Sequence, residues 1–135
     1  MSTHNPYHER TKHPHDFVVE YHILTPEEDG RTMPVYQGIR WDFWYEYEGH
    51  EENSLFVIWP EFLDKNGTVI TSTEKSVPVN GQARMWILSE NMRKYHQDKI
   101  YVGMKGIAKE GPKTVATYIV KELGGLLTNP TIDDE

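Results

Sequence analysis

Histidine changes charge near neutral pH and is the commonest metal ligand. The chain carries seven, and four of them, His4, His8, His13 and His15, lie within the first fifteen residues. A His-rich tract can chelate metal. This one, MSTHNPYHERTKHPH, also holds two prolines and no apolar period, so it reads as a flexible arm with incidental chelation. His22, His50 and His96 stand apart in sequence and read as packed or solvated side chains. Glu46, Glu48, Glu51 and Glu52 crowd one loop. A glycosidase-like pair can be drawn from any two of the 21 acidic residues, so the crowding reads as a solvated acidic loop. Asp64-Lys65-Asn66-Gly67 opens like a calcium loop but lacks the third oxygen position and the closing Glu, which leaves a turn. The glycines and lysines of residues 103–113 do not fall into GxxxxGK[ST], and neither HExxH nor GxSxG occurs. With no cysteine in the chain, thiolate zinc, disulfides and cysteine nucleophiles are excluded. The expectation is a protein without cofactor, metal or nucleotide, and not an enzyme. A small enzyme remains the alternative because a fold never excludes chemistry.

At 135 residues the chain fits one domain and can bury a core without a covalent staple. No apolar run resembles a leader or reaches the length of a membrane span, and the absence of cysteine suits a reducing compartment. A cytoplasmic protein that does not meet the membrane is therefore expected. The net charge of −7 argues against a grip on nucleic acid that is wholly electrostatic, although it leaves room for a local basic patch.

The elements that must position these residues are strands. Phe17, Val19, Tyr21 and Ile23 alternate with Val18, Glu20, His22 and Leu24, the period of two that defines a strand. Pro26 and Glu27-Glu28-Asp29-Gly30 break it. Phe43, Tyr45 and Tyr47 alternate in a second strand. Residues 55–59 read as a strand buried on both sides, with Pro60 placing it near an edge. Asp64-Lys65-Asn66-Gly67 is a turn before Thr68-Val69-Ile70. Residues 82–88 alternate again, and residues 99–108 and 114–123 flank Lys109-Glu110-Gly111-Pro112-Lys113 as a closing hairpin. Residues 89–97 read as a loop with one turn of helix. Of Trp41, Trp44 and Trp86, most are expected in the core. The domain organisation expected is a His-rich arm over 1–15, one β-barrel domain over 16–124 and a flexible acidic tail over 125–135. Six or seven short strands imply an all-β closed barrel or sandwich.

Two segments carry a family resemblance. In residues 17–45, Glu27, Glu28, Gly30, Arg31, Pro34, Gly38, Arg40 and Phe43 follow a strand in the order of an LxxEEGGR-type turn followed by Pro and GYRPQF. Residues 105–123, KGIAKEGPKTVATYIVKEL, are similar to an RxxIREGGRTVGAGVV-type hairpin. Together they resemble the first and last parts of the C-terminal β-barrel, the third domain, of elongation factor Tu-like translation factors, here without the GTPase. The resemblance implies a six- or seven-stranded antiparallel Greek-key barrel. It also implies contact with a protein or with tRNA through positions that correspond to Arg31, Asp42, Glu110, Gly111 and Lys113. The family has Gln where this chain has Asp42 and Pro where it has Trp41, and a carboxylate repels RNA phosphate where an amide donates a hydrogen bond. The expected function is a non-catalytic binding module for a protein partner, linked to translation. Binding of tRNA or ribosomal RNA is the alternative, and weak or no tRNA binding is expected.

Overall fold

The computed structural model describes residues 3–46 and 55–131. Tyr47, His50, Glu48, Glu51 and Glu52 lie outside them, so the acidic loop is represented only by the exposed Glu46. Six strands form one antiparallel sheet: β1 (Phe17–Ile23), β2 (Asp42–Tyr45), β3 (Ile58–Phe62), β4 (Asn80–Ile87), β5 (Lys105–Glu110) and β6 (Lys113–Leu123). Their order is β2-β5-β6-β1-β4-β3. The sheet curls until its two edges meet at one residue pair, where Phe43 N–H donates to the Phe56 carbonyl (2.8 Å) and Phe56 N–H to that of Phe43 (2.9 Å). The protein is all-β in class, and the described residues add two short α-helices, α1 (Tyr7–Thr11) and α2 (Glu90–Gln97), and one 3-10 turn at Pro26–Glu28.

The alternation read in the sequence sets the concave face. Phe17, Val19, Tyr21 and Ile23 of β1 are buried together with Phe43 and Tyr45 of β2, Phe62 of β3, Met85 of β4 and Tyr118 of β6. Phe43 is the hub. It stacks on Tyr118 with ring centroids 5.8 Å apart and meets Phe17 (6.2 Å) and Tyr45 (5.4 Å) edge-on, the arrangements that the aromatic quadrupole favours. Gly106 lies against this ring: a Cβ there would sit 2.6 Å from Phe43 Cζ. Trp41 and Trp86 are buried, while Trp44 and Trp59 are half-buried.

The structure differs from several expectations in its contacts. Residues 3–15, expected as a flexible arm, make specific contacts with the sheet. Thr3 bridges to Ser72, His4 is buried, and α1 lies on the outer face of β3 and β4, with Tyr7 against Trp59 (centroids 6.3 Å) and Trp86 (5.9 Å). The physical reason is Glu61. Its carboxylate is fully buried on edge strand β3 and needs donors, and His4 Nε2 (2.5 Å), the Tyr7 N–H (2.8 Å) and Trp86 Nε1 (3.0 Å) supply them. The C-terminal segment is likewise packed as far as residue 131, with Leu126 and Asn129 buried. Residues 89–97 form two turns of helix, capped by Ser89 Oγ accepting from the Met92 N–H. The helix lacks apolar periodicity because its buried residues are Arg93 and His96, which are anchored by polar contacts. Strand β3 begins only at Ile58, and Leu55 and Val57 are exposed rather than buried on both sides. Residues 68–70 contribute one isolated bridge, Leu63 to Val69, in place of a strand, and β5 begins at Lys105 rather than 99.

A buried polar cluster ties the two chain ends to α2. Asp16, fully buried, accepts from Arg93 Nε (2.8 Å), Asn129 Nδ2 (3.0 Å) and the Ile87 N–H (2.8 Å). Arg93 also donates to the carbonyls of Ile87 (2.8 Å) and Pro130. Every one of these contacts spans elements, and a buried charge is tolerated only when so satisfied.

Candidate functional site

The positions singled out from the sequence gather at one end of the sheet. Gly111 turns the β5–β6 hairpin with φ +59°, a backbone region that favours glycine. Its two flanking strands bring Glu110 opposite Lys113 and Lys109 opposite Asp42 of β2. Glu110 Oε2 accepts from Arg31 Nε (2.9 Å) and from Trp41 Nε1 (2.6 Å), and Arg31 also donates to the Pro34 carbonyl (3.0 Å). The Arg40 guanidinium stacks on Trp59 with Cζ 4.6 Å from the ring centroid. Gly30 is needed for close packing, since a Cβ would fall 2.0 Å from the Leu24 carbonyl oxygen.

The loop over 31–35 is flanked by two shallow grooves. One, of about 240 Å³, is lined by Arg31, Thr32, Glu110 and Lys113. The other, of about 220 Å³, is lined by Ile23, Leu24, Pro26, Pro34 and Val79. Met33 lines both and is 66% exposed, and Val79 is 43% exposed. Lys109 is committed elsewhere, stacked on Trp44 at 4.6 Å and donating to the Pro112 carbonyl (3.3 Å). Lys113 makes no ion pair among the described residues.

Among the described residues the histidines are structural or superficial. His96 is buried, shares a hydrogen bond between Nδ1 and the Tyr45 hydroxyl, and has no partner for Nε2 among the described residues. Burial pushes its pKa down to about 4, with Lys99 adding to the effect. His15 is also lowered by burial and by Arg84. His22, at the surface, is raised by hydrogen bonds to Asn80 and Glu28. Among the described residues no group of three or more His, Asp or Glu is placed to hold a metal ion.

The sequence reading missed the outer face of β3 and β4, where α1 covers Glu61 and Trp86 and leaves a polar cleft of about 530 Å³ beside Tyr7, Arg10 and Arg40. One signal was available. Glu61 directly follows the apolar run Phe56-Val57-Ile58-Trp59-Pro60, and a carboxylate in a half-buried strand requires donors from another segment.

No protein-family model matches this chain, and a comparison with curated proteins returns no match either. No helix among the described residues is long and apolar enough to cross a membrane.

Proposed function

We propose that this chain is a non-catalytic binding module. In this reading it forms a Greek-key barrel of the type found at the C-terminus of elongation factor Tu-like proteins, docking a translation-linked protein in the cytoplasm. The observation that carries the proposal is Met33. A large flexible apolar side chain stands in solvent between an apolar groove and a charged one, on the loop that the sequence resemblance singles out. Such adaptable anchors rimmed by polar groups favour protein docking. The filled aromatic interior supports the same reading, because a packed barrel leaves function to its outer face and loops. RNA binding is less well supported. Arg31 is engaged by Glu110, Lys109 by Trp44, and Asp42 presents a carboxylate beside them.

The test is affinity capture from the native host with wild-type protein, Met33→Glu, Lys113→Glu and, as a control on β6, Lys121→Glu. A protein retained by the wild type and the control but lost from both loop variants supports the module and names its partner. A partner indifferent to Met33 and Lys113 sinks this face. In parallel, tRNA filter binding at low salt is expected to be weak. Micromolar affinity with a steep salt slope, lost in Lys113→Ala, would replace the protein reading by the RNA one.

A further inference from the structure

On a different set of elements, we infer a binding site for a small oxyanion, a phosphate or carboxylate group carried on a molecule of modest size. The site is the cleft between α1 and the segment that leads into β2. Arg10, Tyr7 and Arg40 line it, and with Trp59 they make a ladder of four side chains. Arg10 Cζ lies 5.6 Å from the centroid of Tyr7, Tyr7 lies 6.3 Å from Trp59, and Arg40 Cζ lies 4.6 Å from Trp59. Both guanidiniums are therefore held on aromatic faces. Stacking of this kind uses the π surface of an arginine and leaves its in-plane N–H fork available, which is the geometry that grips a carboxylate or phosphate through two parallel bonds. Both arginines line the cleft, and both act on the Tyr7 hydroxyl electrostatically.

Neither guanidinium, that of Arg10 or that of Arg40, is spent on an ion pair within the described residues. That is unexpected in a chain with 21 acidic and 14 basic Lys and Arg residues, in which Arg31 and Arg93 are both paired. Two carboxylates are nearby. Glu9 lines the cleft and is exposed. Glu61 lies behind Tyr7, where its oxygens are occupied by His4, the Tyr7 N–H and Trp86. The cleft volume of about 530 Å³ is that of a small-molecule site. Its walls are braced: Gln37 is buried and locked by three hydrogen bonds to Phe62 and Ile70 (2.8 Å each), and Gly38 follows it with φ +97°. Arg40 thus stands close to a rigid turn, and α1 is held down by Glu61.

The experiment is an amide and indole NMR titration of the full chain with inorganic phosphate and with citrate, each against chloride at matched ionic strength. Saturable shifts at Gly38, Tyr7 and the Trp59 indole are expected. Arg10→Gln and Arg40→Gln should each weaken binding about tenfold or more, as for loss of a charge-assisted hydrogen bond, and Lys121→Gln should leave it unchanged. Saturation by phosphate alone assigns a phosphate ester, and saturation by citrate alone a carboxylate; either supports the site. Shifts that follow ionic strength equally in chloride, or that persist in the Arg10→Gln/Arg40→Gln double variant, overturn it. Both substitutions are on exposed side chains, so a folded spectrum is expected for every variant.

Discussion

The Asp16–Arg93 pair offers the sharpest test of how the fold is held. Replacing Arg93 by Met keeps most of the volume of the side chain and removes its charge. Asp16, which is fully buried, then keeps only Asn129 and the Ile87 N–H, and the carbonyls of Ile87 and Pro130 lose a donor. Breaking a buried pair from one side costs about 3–5 kcal/mol. A chain of this length has a total stability of roughly 7–20 kcal/mol, so the variant should fold but lose about 10–20 °C in Tm. Urea denaturation followed by the fluorescence of the buried Trp41 and Trp86 measures it, with the slope unchanged if the change is in stability alone. The second arm separates an ion pair from a hub. In many proteins a buried pair can be replaced by apolar residues at no cost. Here Asp16→Leu with Arg93→Met still strands the buried Ile87 N–H and the Ile87 carbonyl, each costing about 1–3 kcal/mol when unsatisfied, while Asn129 keeps only its bond to the Pro14 carbonyl (2.8 Å). The double variant should therefore remain about as unstable as the single one. A loss below about 1 kcal/mol in Arg93→Met, or wild-type stability in the double variant, would refute the reasoning.

Two further outcomes follow from the core. His96 has a folded pKa of about 4 against an ordinary 6.5, chiefly through burial, so the unfolded state takes up its proton first as pH falls. Its contribution to stability is complete above pH 6.5 and is lost on the way down to about pH 4. At pH 5 the loss is about 2 kcal/mol, read as the part of the urea-measured pH dependence that disappears in His96→Gln. Gly106→Ala places a methyl group 2.6 Å from Phe43 Cζ and should cost about 1–3 kcal/mol through displacement of that ring; an unchanged near-ultraviolet circular dichroism spectrum and Tm would show that the ring is not the constraint.

The strands were legible wherever one face alternates. β1 and β4 could be read because Phe17, Val19 and Tyr21, and Ala83 and Met85, recur at every second position against a solvated or covered face. The closing hairpin could be read from Glu110-Gly111-Pro112 between two such runs. The sequence concealed the packing of the termini. Residues 3–15 contain almost no apolar side chains because they are held by Glu61, and α2 contains almost none because Arg93 and His96 anchor it. Hydrophobic periodicity does not detect elements fixed by buried hydrogen bonds. In the same way, Arg31, Glu110, Gly111 and Lys113 could be named from a motif, whereas Arg10 and Arg40 lie 30 positions apart and are brought to one cleft only by the docking of α1.

That contrast bears on where an acidic protein can attract an anion. A net charge of −7 sets the distant field, but over distances beyond about 8–10 Å salt screens it, and what a ligand meets is the local arrangement of donors. At the hairpin end, Arg31 and Lys109 are already committed to Glu110 and Trp44. The positive charge there is largely internal, and Met33 is the feature turned outward. At the α1 cleft the balance differs: the Glu61 carboxylate is internal, occupied by His4 and Trp86, and against the exposed Glu9 two stacked guanidiniums line the cleft. An apolar anchor on one surface and an anion fork on another are independent devices. A variant that disables one should leave the other intact, so Met33→Glu should still titrate with phosphate or citrate, and the Arg10→Gln/Arg40→Gln variant should still be captured by the protein partner.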